Sequence, residues 1–199
     1  MSTKRLFLKS LGGVALLPAL APDTAVGKEV RPAVTAPREP YFPNVLLTTH
    51  EGKVVRFYDD LIKNKVVVIN AMYTVCTAIC PSNTASLLNL QAALGPQVGK
   101  DIFIYSITLQ PEIDDARALE AYAKKYGAQS GWTFLTGKRA DIELLRRKLG
   151  FYDSDPVADA DISNHAGVFR IGNDRVGRWM MMPASAPTKQ VVVSIKNII

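Results

Sequence analysis

The chain contains two cysteines, Cys76 and Cys80, directly after an apolar, β-branched run at residues 65–71. Such a run is typical of a buried strand, and Pro81 is typical of the first turn of a helix. The thiols are therefore predicted to lie at a strand–loop–helix junction, where the functional residues of α/β folds concentrate. Two side chains four residues apart on a helical turn face the same side. This pair is suited either to a soft metal ion or to a disulfide.

The N-terminus has the three parts of an export signal. A basic start at Lys4 and Arg5 precedes an apolar stretch at residues 11–21 and a small-residue exit at residues 25–27. The stretch is about half the ~20 residues that span a bilayer, so cleavage is favoured over anchoring. Residues 3–9 resemble a twin-arginine signal in which Lys4 replaces the first arginine. We therefore expect a periplasmic or other extracytoplasmic protein, membrane-associated only through an uncleaved leader.

Export permits disulfides, but a structural disulfide is the less favoured interpretation of this pair. The chain that follows the leader is long enough to bury a core without one. Moreover, a disulfide that closes a loop of a few residues adds little stability. A reactive or metal-binding pair is therefore predicted.

The net charge of +6 is spread over interleaved basic and acidic residues. Because it forms no basic stripe with aromatic residues between the charges, nucleic acid is not an expected partner. A peroxide-reducing enzyme is also disfavoured, since no arginine or threonine cluster can be placed near Cys76.

Composition divides the chain into an export signal at residues 1–27, a proline-rich linker at 28–44 and a domain at 45–199. The domain has strand patterns at residues 46–49, 54–57, 65–71, 101–109, 132–136, 167–171 and 176–181. Helix patterns occupy residues 81–98, 112–126, 138–149 and 187–198. This order predicts an α/β thioredoxin-like fold with an N-terminal β-hairpin and an inserted strand–helix stretch. The thiols lie at the redox position of that fold, although three residues separate them instead of two.

His165 is the candidate third ligand. It ends a polar loop directly before a predicted hairpin strand, and in a thioredoxin fold that loop lies beside the thiols. The other histidine, His50, lies in a predicted turn and is interpreted as an exposed turn residue. Two thiolates and one imidazole suit copper in both oxidation states. Zinc with a fourth ligand or water is an alternative.

Three segments resemble the Sco/SenC family. Residues 73–81, Tyr-Thr-Val-Cys-Thr-Ala-Ile-Cys-Pro, are similar to its copper motif, in which aromatic-Thr-x-Cys leads into a second Cys-Pro. Residues 106–114 resemble the end of its next strand, and residues 131–137 resemble its Trp-x-x-Leu-Thr-Gly segment. His165 falls where the family has its histidine ligand. The likeness covers about residues 40–199.

The resemblance implies a thioredoxin-fold copper metallochaperone with Cys76, Cys80 and His165 as ligands of Cu(I) and Cu(II). Such a protein assists copper-centre assembly in a respiratory oxidase such as cytochrome c oxidase, as a copper donor or as a reductant of subunit II cysteines. The implied partners are a copper-accepting protein, expected to be an oxidase subunit, and a thiol reductant protein. Whether the chain is an enzyme stays open. In a thiol–disulfide oxidoreductase, Cys76 and Cys80 would be the catalytic residues.

Four positions depart from the family pattern. Thr77 and Ala78 stand between the cysteines, where Pro-Asp is usual, while Gln110 and Asn164 stand where aspartate is usual. A less negative surrounding of the histidine is expected to change copper affinity, because groups around a ligand tune its basicity. Partner docking is also expected to differ, whereas the sulfur ligands are retained.

Two further clusters carry weaker signals. Met180, Met181 and Met182 could pass Cu(I) along, but alternation on a strand would put one or two of them in the core. The acids at residues 153–155 and 159–161 are interpreted as loop residues, since they lack the ligand spacing of a hard-cation site.

Overall fold

A computed structural model describes residues 41–162 and 167–199. In these ranges one mixed sheet has the strand order β2-β1-β5-β4-β3-β6-β7. The strands are β1 (Leu46–Thr49), β2 (Val54–Arg56), β3 (Val66–Met72), β4 (Ile102–Thr108), β5 (Trp132–Gly137), β6 (Val168–Asn173) and β7 (Arg178–Pro183). The helices are α1 (Cys80–Leu94), α2 (Ala116–Tyr126), α3 (Arg139–Leu149), α4 (Pro156–Ala160) and α5 (Thr188–Lys196).

The central strand β3 organises the sheet. All of its residues are buried, and it pairs in parallel with β4 and antiparallel with β6. A strand that is covered on both faces of the sheet has a nearly continuous run of apolar residues. This explains the apolar sequence of β3. Parallel pairing requires a crossover, and α1 supplies it. The register aligns Met72 with Thr108, so the C-terminal ends of β3 and β4 lie side by side.

Helices cover both faces of the sheet. On one face, α1, α2 and α5 pack over a core that includes Val68, Phe134 and both cysteines. On the other face, α3 packs together with a π-helical turn at Phe57–Ile62. The unit β3-α1-β4, followed later by the β6-β7 hairpin and α5, is the predicted thioredoxin-like order, with α2, β5 and α3 between its halves. The predicted fold class is confirmed.

A buried polar chain links the three central parallel strands. The Trp132 indole N–H donates to the Ser106 hydroxyl at 2.9 Å, and that hydroxyl donates to the Asn70 side-chain oxygen at 2.6 Å. The Asn70 amide group donates in turn to the Ala71 carbonyl at 3.2 Å. Since Ser106 serves both neighbours, it satisfies polar groups that would otherwise be buried without partners.

Two predicted helix boundaries were wrong. Helix α1 ends at Leu94 instead of residue 98, because Gly95 has φ 55° and Pro96 cannot donate an N–H to continue the ladder. Helix α2 begins at Ala116 instead of residue 112. There the Asp115 side chain accepts the Ala118 N–H at 2.8 Å and caps the first turn.

The second hairpin and the segment before it also differ from the prediction. The turn lies at Asp174–Val176, two residues later than predicted, and Gly177 completes it with φ 64°. Helix α4 was not predicted at all. Pro156 begins it, and the Asp155 side chain caps it by accepting the Val157 N–H at 2.9 Å.

Residues 41–44, at the end of the predicted linker, pack against the domain. Phe42 is buried and its ring lies 4.6 Å from that of Trp179. The Asn44 side-chain oxygen accepts the backbone N–H groups of Tyr58 and Asp59 at 3.1 and 3.0 Å. The predicted export signal and the rest of the linker lie outside the described residues. Within the described ranges, no helix has the length and apolar character needed to cross a membrane.

The substitution Ser106→Ala tests the buried polar chain. We expect it to lower the free energy of unfolding by about 2 kcal/mol, since it leaves the Trp132 N–H and the Asn70 oxygen buried without partners. The measurement is urea denaturation of the full chain. Ser130→Ala, at an exposed serine, is the control and should change stability by less than about 0.5 kcal/mol. Equal effects of the two substitutions would contradict the assigned role.

Candidate functional site

The thiols lie where β3 passes into α1. Cys80 is the first residue of α1, and Cys76 lies in the preceding loop. Both are free thiols and both are buried, with Cys76 6% and Cys80 1% exposed. The predicted strand–loop–helix junction is therefore present. Its two thiols are buried, and the residues Thr77 and Ala78 between them are exposed.

The sulfur of Cys76 caps the start of α1. The Cys80 backbone N–H donates to Cys76 Sγ at 3.3 Å. This helix end has no side-chain hydrogen-bonding cap of its own and no acidic residue in its first turn. A helix N-terminus carries partial positive charge and stabilises a thiolate there. Cys76 is consequently the sulfur that the fold prepares to ionise.

The two thiols have opposite pKa shifts. Burial works against ionisation of Cys76, but hydrogen bonds from Cys80, Tyr73 and the Ala78 N–H outweigh it and lower the pKa of Cys76. Burial raises the pKa of Cys80 to about 12, and its hydrogen bond to Cys76 adds to the increase. The hydrogen bond to Cys76 and burial raise the pKa of Tyr73 to about 12. The pair thus combines one sulfur prepared as a thiolate with one that keeps its proton.

A buried carboxylate holds the loop that carries Cys76. Asp114, fully buried between β4 and α2, accepts the Thr74 backbone N–H at 3.1 Å and the Thr74 hydroxyl as well. It also accepts the Thr108 hydroxyl at 2.5 Å. Sequence reasoning missed this role, because Asp114 was assigned to the first turn of a helix. No local sequence pattern indicated the contact, since Thr74 is 40 residues from Asp114.

His165, the predicted third ligand, lies outside the described residues, as does Asn164. The described flanks of this segment both lie near the thiol loop. A Cβ atom built on Gly167 would stand 3.4 Å from the Ile79 side chain. On the other flank, the charge of Asp161 contributes to the raised pKa of Tyr73. Within the described residues, no group of three or more histidine, cysteine or acidic side chains could hold a metal ion.

Ion pairs fix the segment that precedes His165. The guanidinium of Arg146, 8% exposed on α3, pairs with Asp159 of α4 at 2.6 Å and with Glu143 at 2.8 Å. It also donates to the Phe151 carbonyl at 3.0 Å. Because Asp159 further accepts the Asp153 N–H at 2.9 Å, the segment after α3 is tied to that helix through one carboxylate.

The remaining candidates lie elsewhere or serve local structure. His50 lies in a turn as predicted, but its expected exposure was wrong: it is half-buried, and its Nδ1 accepts the Phe134 N–H at 3.2 Å. Met182 is buried and Met180 packs against the same core, whereas Met181 is 38% exposed, as strand alternation predicts. Gln110 is half-buried, and its side-chain oxygen has no hydrogen-bond partner among the described residues.

The arrangement suits a soft metal ion or thiol chemistry. Two sulfur atoms sharing hydrogen bonds at a helix N-terminus present the ligand type that Cu(I) and zinc prefer. The same arrangement supplies an attacking thiolate and a second, protonated thiol, as thiol–disulfide exchange requires.

A family model described as SCO1/SenC matches residues 36–199. The chain belongs to the SCO1/SenC family. The SCO1 protein homolog of Bacillus subtilis is 30% identical to it over 152 residues, which are 74% of this chain and 75% of the homolog. These findings confirm the resemblance seen in residues 73–81, 106–114 and 131–137.

Two solved SCO1/SenC structures share the fold. One is the structure of BsSco, a member of the Sco family of cytochrome c oxidase assembly proteins, in which a disulfide switch was identified. It is 25% identical, with a TM-score of 0.62, and the match covers 77% of this chain and 90% of that one. The other is Bradyrhizobium japonicum ScoI with copper bound, 19% identical, with a TM-score of 0.61 and coverage of 77% and 96%.

The unequal thiols predict a defined order of alkylation. As pH rises, Cys76 should reach its reactive thiolate form below the ordinary thiol pKa, while Cys80 should stay protonated until far higher pH. Iodoacetamide labelling of the reduced chain between pH 6 and 10, followed by peptide mass mapping, should show Cys76 modified first. In Cys80→Ala, the Cys76 profile should shift to higher pH, because the side-chain hydrogen bond that lowers the pKa of Cys76 is removed. Faster labelling of Cys80 would contradict the assignment.

Proposed function

We propose that this protein is an exported copper metallochaperone that carries copper on Cys76, Cys80 and His165. Its cargo would be delivered during copper-centre assembly in a respiratory oxidase such as cytochrome c oxidase. The observation that carries the proposal is the pair of free thiols at the N-terminus of α1, one hydrogen-bonded to the backbone of the other.

The donor set supports copper as the cargo. The lowered pKa of Cys76 reduces the cost of forming a thiolate there, and thiolates select Cu(I) over harder cations. The buried position of both sulfurs would keep competing water away from a bound copper ion, which favours its retention until delivery. Copper bound to Bradyrhizobium japonicum ScoI, which has the same fold, is consistent with this cargo.

His165 is proposed to complete the site for Cu(II). The described residues on both flanks of its segment lie near the thiol loop, one beside Ile79 and the other within electrostatic range of Tyr73. Imidazole is a ligand suited to Cu(II), so the addition of His165 to the two sulfurs would let one site accept both oxidation states.

The recipient is proposed to be a copper-accepting oxidase subunit outside the cytoplasm. Membership of the SCO1/SenC family supports this class of partner, since BsSco belongs to the Sco family of cytochrome c oxidase assembly proteins. The basic, apolar and small-residue pattern of residues 1–27 supports export. Exposed Thr77 and Ala78, which carry no charge, lie on the surface over the thiols that such a partner must approach.

A second candidate function is thiol–disulfide exchange with cysteines of a copper-site protein. The unequal pKa values of Cys76 and Cys80 favour it, because exchange needs one attacking thiolate and one resolving thiol. In this reaction Cys76 attacks the substrate disulfide and releases one substrate thiolate. Cys80 then gives its proton to the released substrate thiolate and attacks the Cys76 sulfur of the mixed disulfide as a thiolate. The second substrate sulfur leaves as a thiolate that takes a proton from water, so the substrate departs as a dithiol and this chain keeps the disulfide.

Copper titration tests the first proposal. Reduced apo-protein should bind one copper per chain, and the double variant Cys76→Ser/Cys80→Ser should bind none, because both soft ligands are gone. His165→Ala should lose Cu(II) and its sulfur-to-copper charge-transfer absorption while keeping Cu(I). The matched control is His50→Ala, which removes the other histidine. Retention of copper by the double variant would overturn the site.

Exchange kinetics test the second proposal. The reduced chain should reduce a model disulfide at least tenfold faster at pH 7 than glutathione does, because Cys76 has a lowered pKa at a helix N-terminus. Stopped-flow measurement with Cys80→Ser should show the first step retained and the release step lost. A rate no greater than that of the free thiol would remove this function.

A further inference from the structure

Asp114 is a fully buried carboxylate outside the predicted ligand set. Within the described ranges it has no ion-pair partner. Burying a charged group without such a partner is unfavourable for the free energy of folding. Its oxygens instead accept hydrogen bonds from neutral groups. A carboxylate that accepts several hydrogen bonds is held more tightly than a neutral acceptor would be.

The donors to Asp114 lie in the turn after β3 and at the end of β4. Thr74, two residues before Cys76, gives its backbone N–H and its hydroxyl to the two oxygens of the carboxylate. Thr108, the last residue of β4, gives its hydroxyl at 2.5 Å. The Thr108 oxygen accepts the Gln110 N–H at 2.9 Å, which leaves its hydrogen free for Asp114. The carboxylate thus joins the thiol loop to β4.

The attachment lies directly upstream of the sulfur. After Met72, the last residue of β3, the Thr74 bonds are followed by a backbone bond from the Cys76 N–H to the Tyr73 carbonyl at 3.2 Å. The opposite side of the Cys76 loop is fixed by the bond between Cys80 N–H and Cys76 Sγ. The Cys76 loop is therefore held on one side by Asp114 and on the other by the first residue of α1.

We propose that Asp114 is the positioning residue of the dithiol: by its hydrogen bonds to Thr74 it fixes the loop that holds Cys76 against Cys80. This deepens the proposed function and rests on it only in taking the dithiol as the working site. Loosening the Thr74 attachment gives Cys76 more freedom and lowers its effective concentration at Cys80. A disulfide between them then becomes less favourable.

The thiol–disulfide equilibrium of the full chain in glutathione buffers tests the proposal without copper. Asp114→Ala should lower the equilibrium constant for disulfide formation about tenfold, equivalent to about 30 mV. Thr74→Val should lower it by a smaller factor, about threefold, because the backbone bond to Asp114 remains. Asp115→Asn is the matched control. It removes the same charge from the adjacent residue, keeps a capping side chain for α2, and should leave the constant unchanged.

Asp114→Asn separates hydrogen bonding from charge. Its oxygen can accept from Thr74 N–H and Thr108, while its amide group donates to the rotatable Thr74 hydroxyl. We expect a constant within about threefold of the unsubstituted chain. A tenfold loss in Asp114→Asn equal to that in Asp114→Ala would overturn positioning by hydrogen bonds. So would unchanged constants in both Asp114→Ala and Thr74→Val.

Global stability is measured on the same variants by urea denaturation, and the constant is determined only where each variant is folded. If Asp114→Ala does not fold, Thr74→Val and Asp114→Asn decide the outcome by the criteria above. The two proposals also fail separately. A chain that binds no copper but shows the shifted equilibrium would lose the metallochaperone function and keep the role of Asp114.

Discussion

The parallel pairing of β3 with β4 is the contact on which the site depends. Its register places Met72 beside Thr108, so both strands end at one edge of the sheet. Only then do the segments that leave them, with Thr74 on one and Asp114 on the other, come within hydrogen-bonding distance. The crossover that parallel pairing requires also directs the N-terminus of α1 to the same edge. Strand pairing therefore assembles the helix end, the thiol loop and the carboxylate together.

The fold makes two chemically identical residues unequal. Cys76 lies where a helix N-terminus offers a hydrogen-bond donor, whereas Cys80 belongs to the helix itself and packs into the core beneath it. Deprotonation for binding a metal as a dithiolate is therefore more costly at Cys80 than at Cys76. The same inequality orders the two steps of thiol exchange. Metal carriage and redox chemistry thus draw on one physical asymmetry, and the two functions are compatible in one site.

Strong local patterns in the sequence were sufficient for the elements that frame the site. The apolar run became β3 within one residue, and Gly150 ends α3 where predicted, because a left-handed glycine stops a helix regardless of its surroundings. Local sequence patterns failed to predict helix starts where a side-chain hydrogen bond determines the backbone conformation. The Asp115 cap sets the start of α2, and the Asp155 cap sets the start of α4. Aspartate is also common in loops, so neither residue alone marks a helix start. Asp114 could not be placed from sequence, since its partner Thr74 is 40 residues away.

X-ray absorption at the copper edge tests the central claim, that a dithiol at the N-terminus of α1 is the copper site. For the Cu(I)-loaded full chain, we predict a coordination shell dominated by sulfur, with an imidazole contribution in the Cu(II)-loaded chain that His165→Ala removes. A shell of oxygen and nitrogen alone, or a spectrum unchanged by Cys76→Ser/Cys80→Ser, would contradict the account.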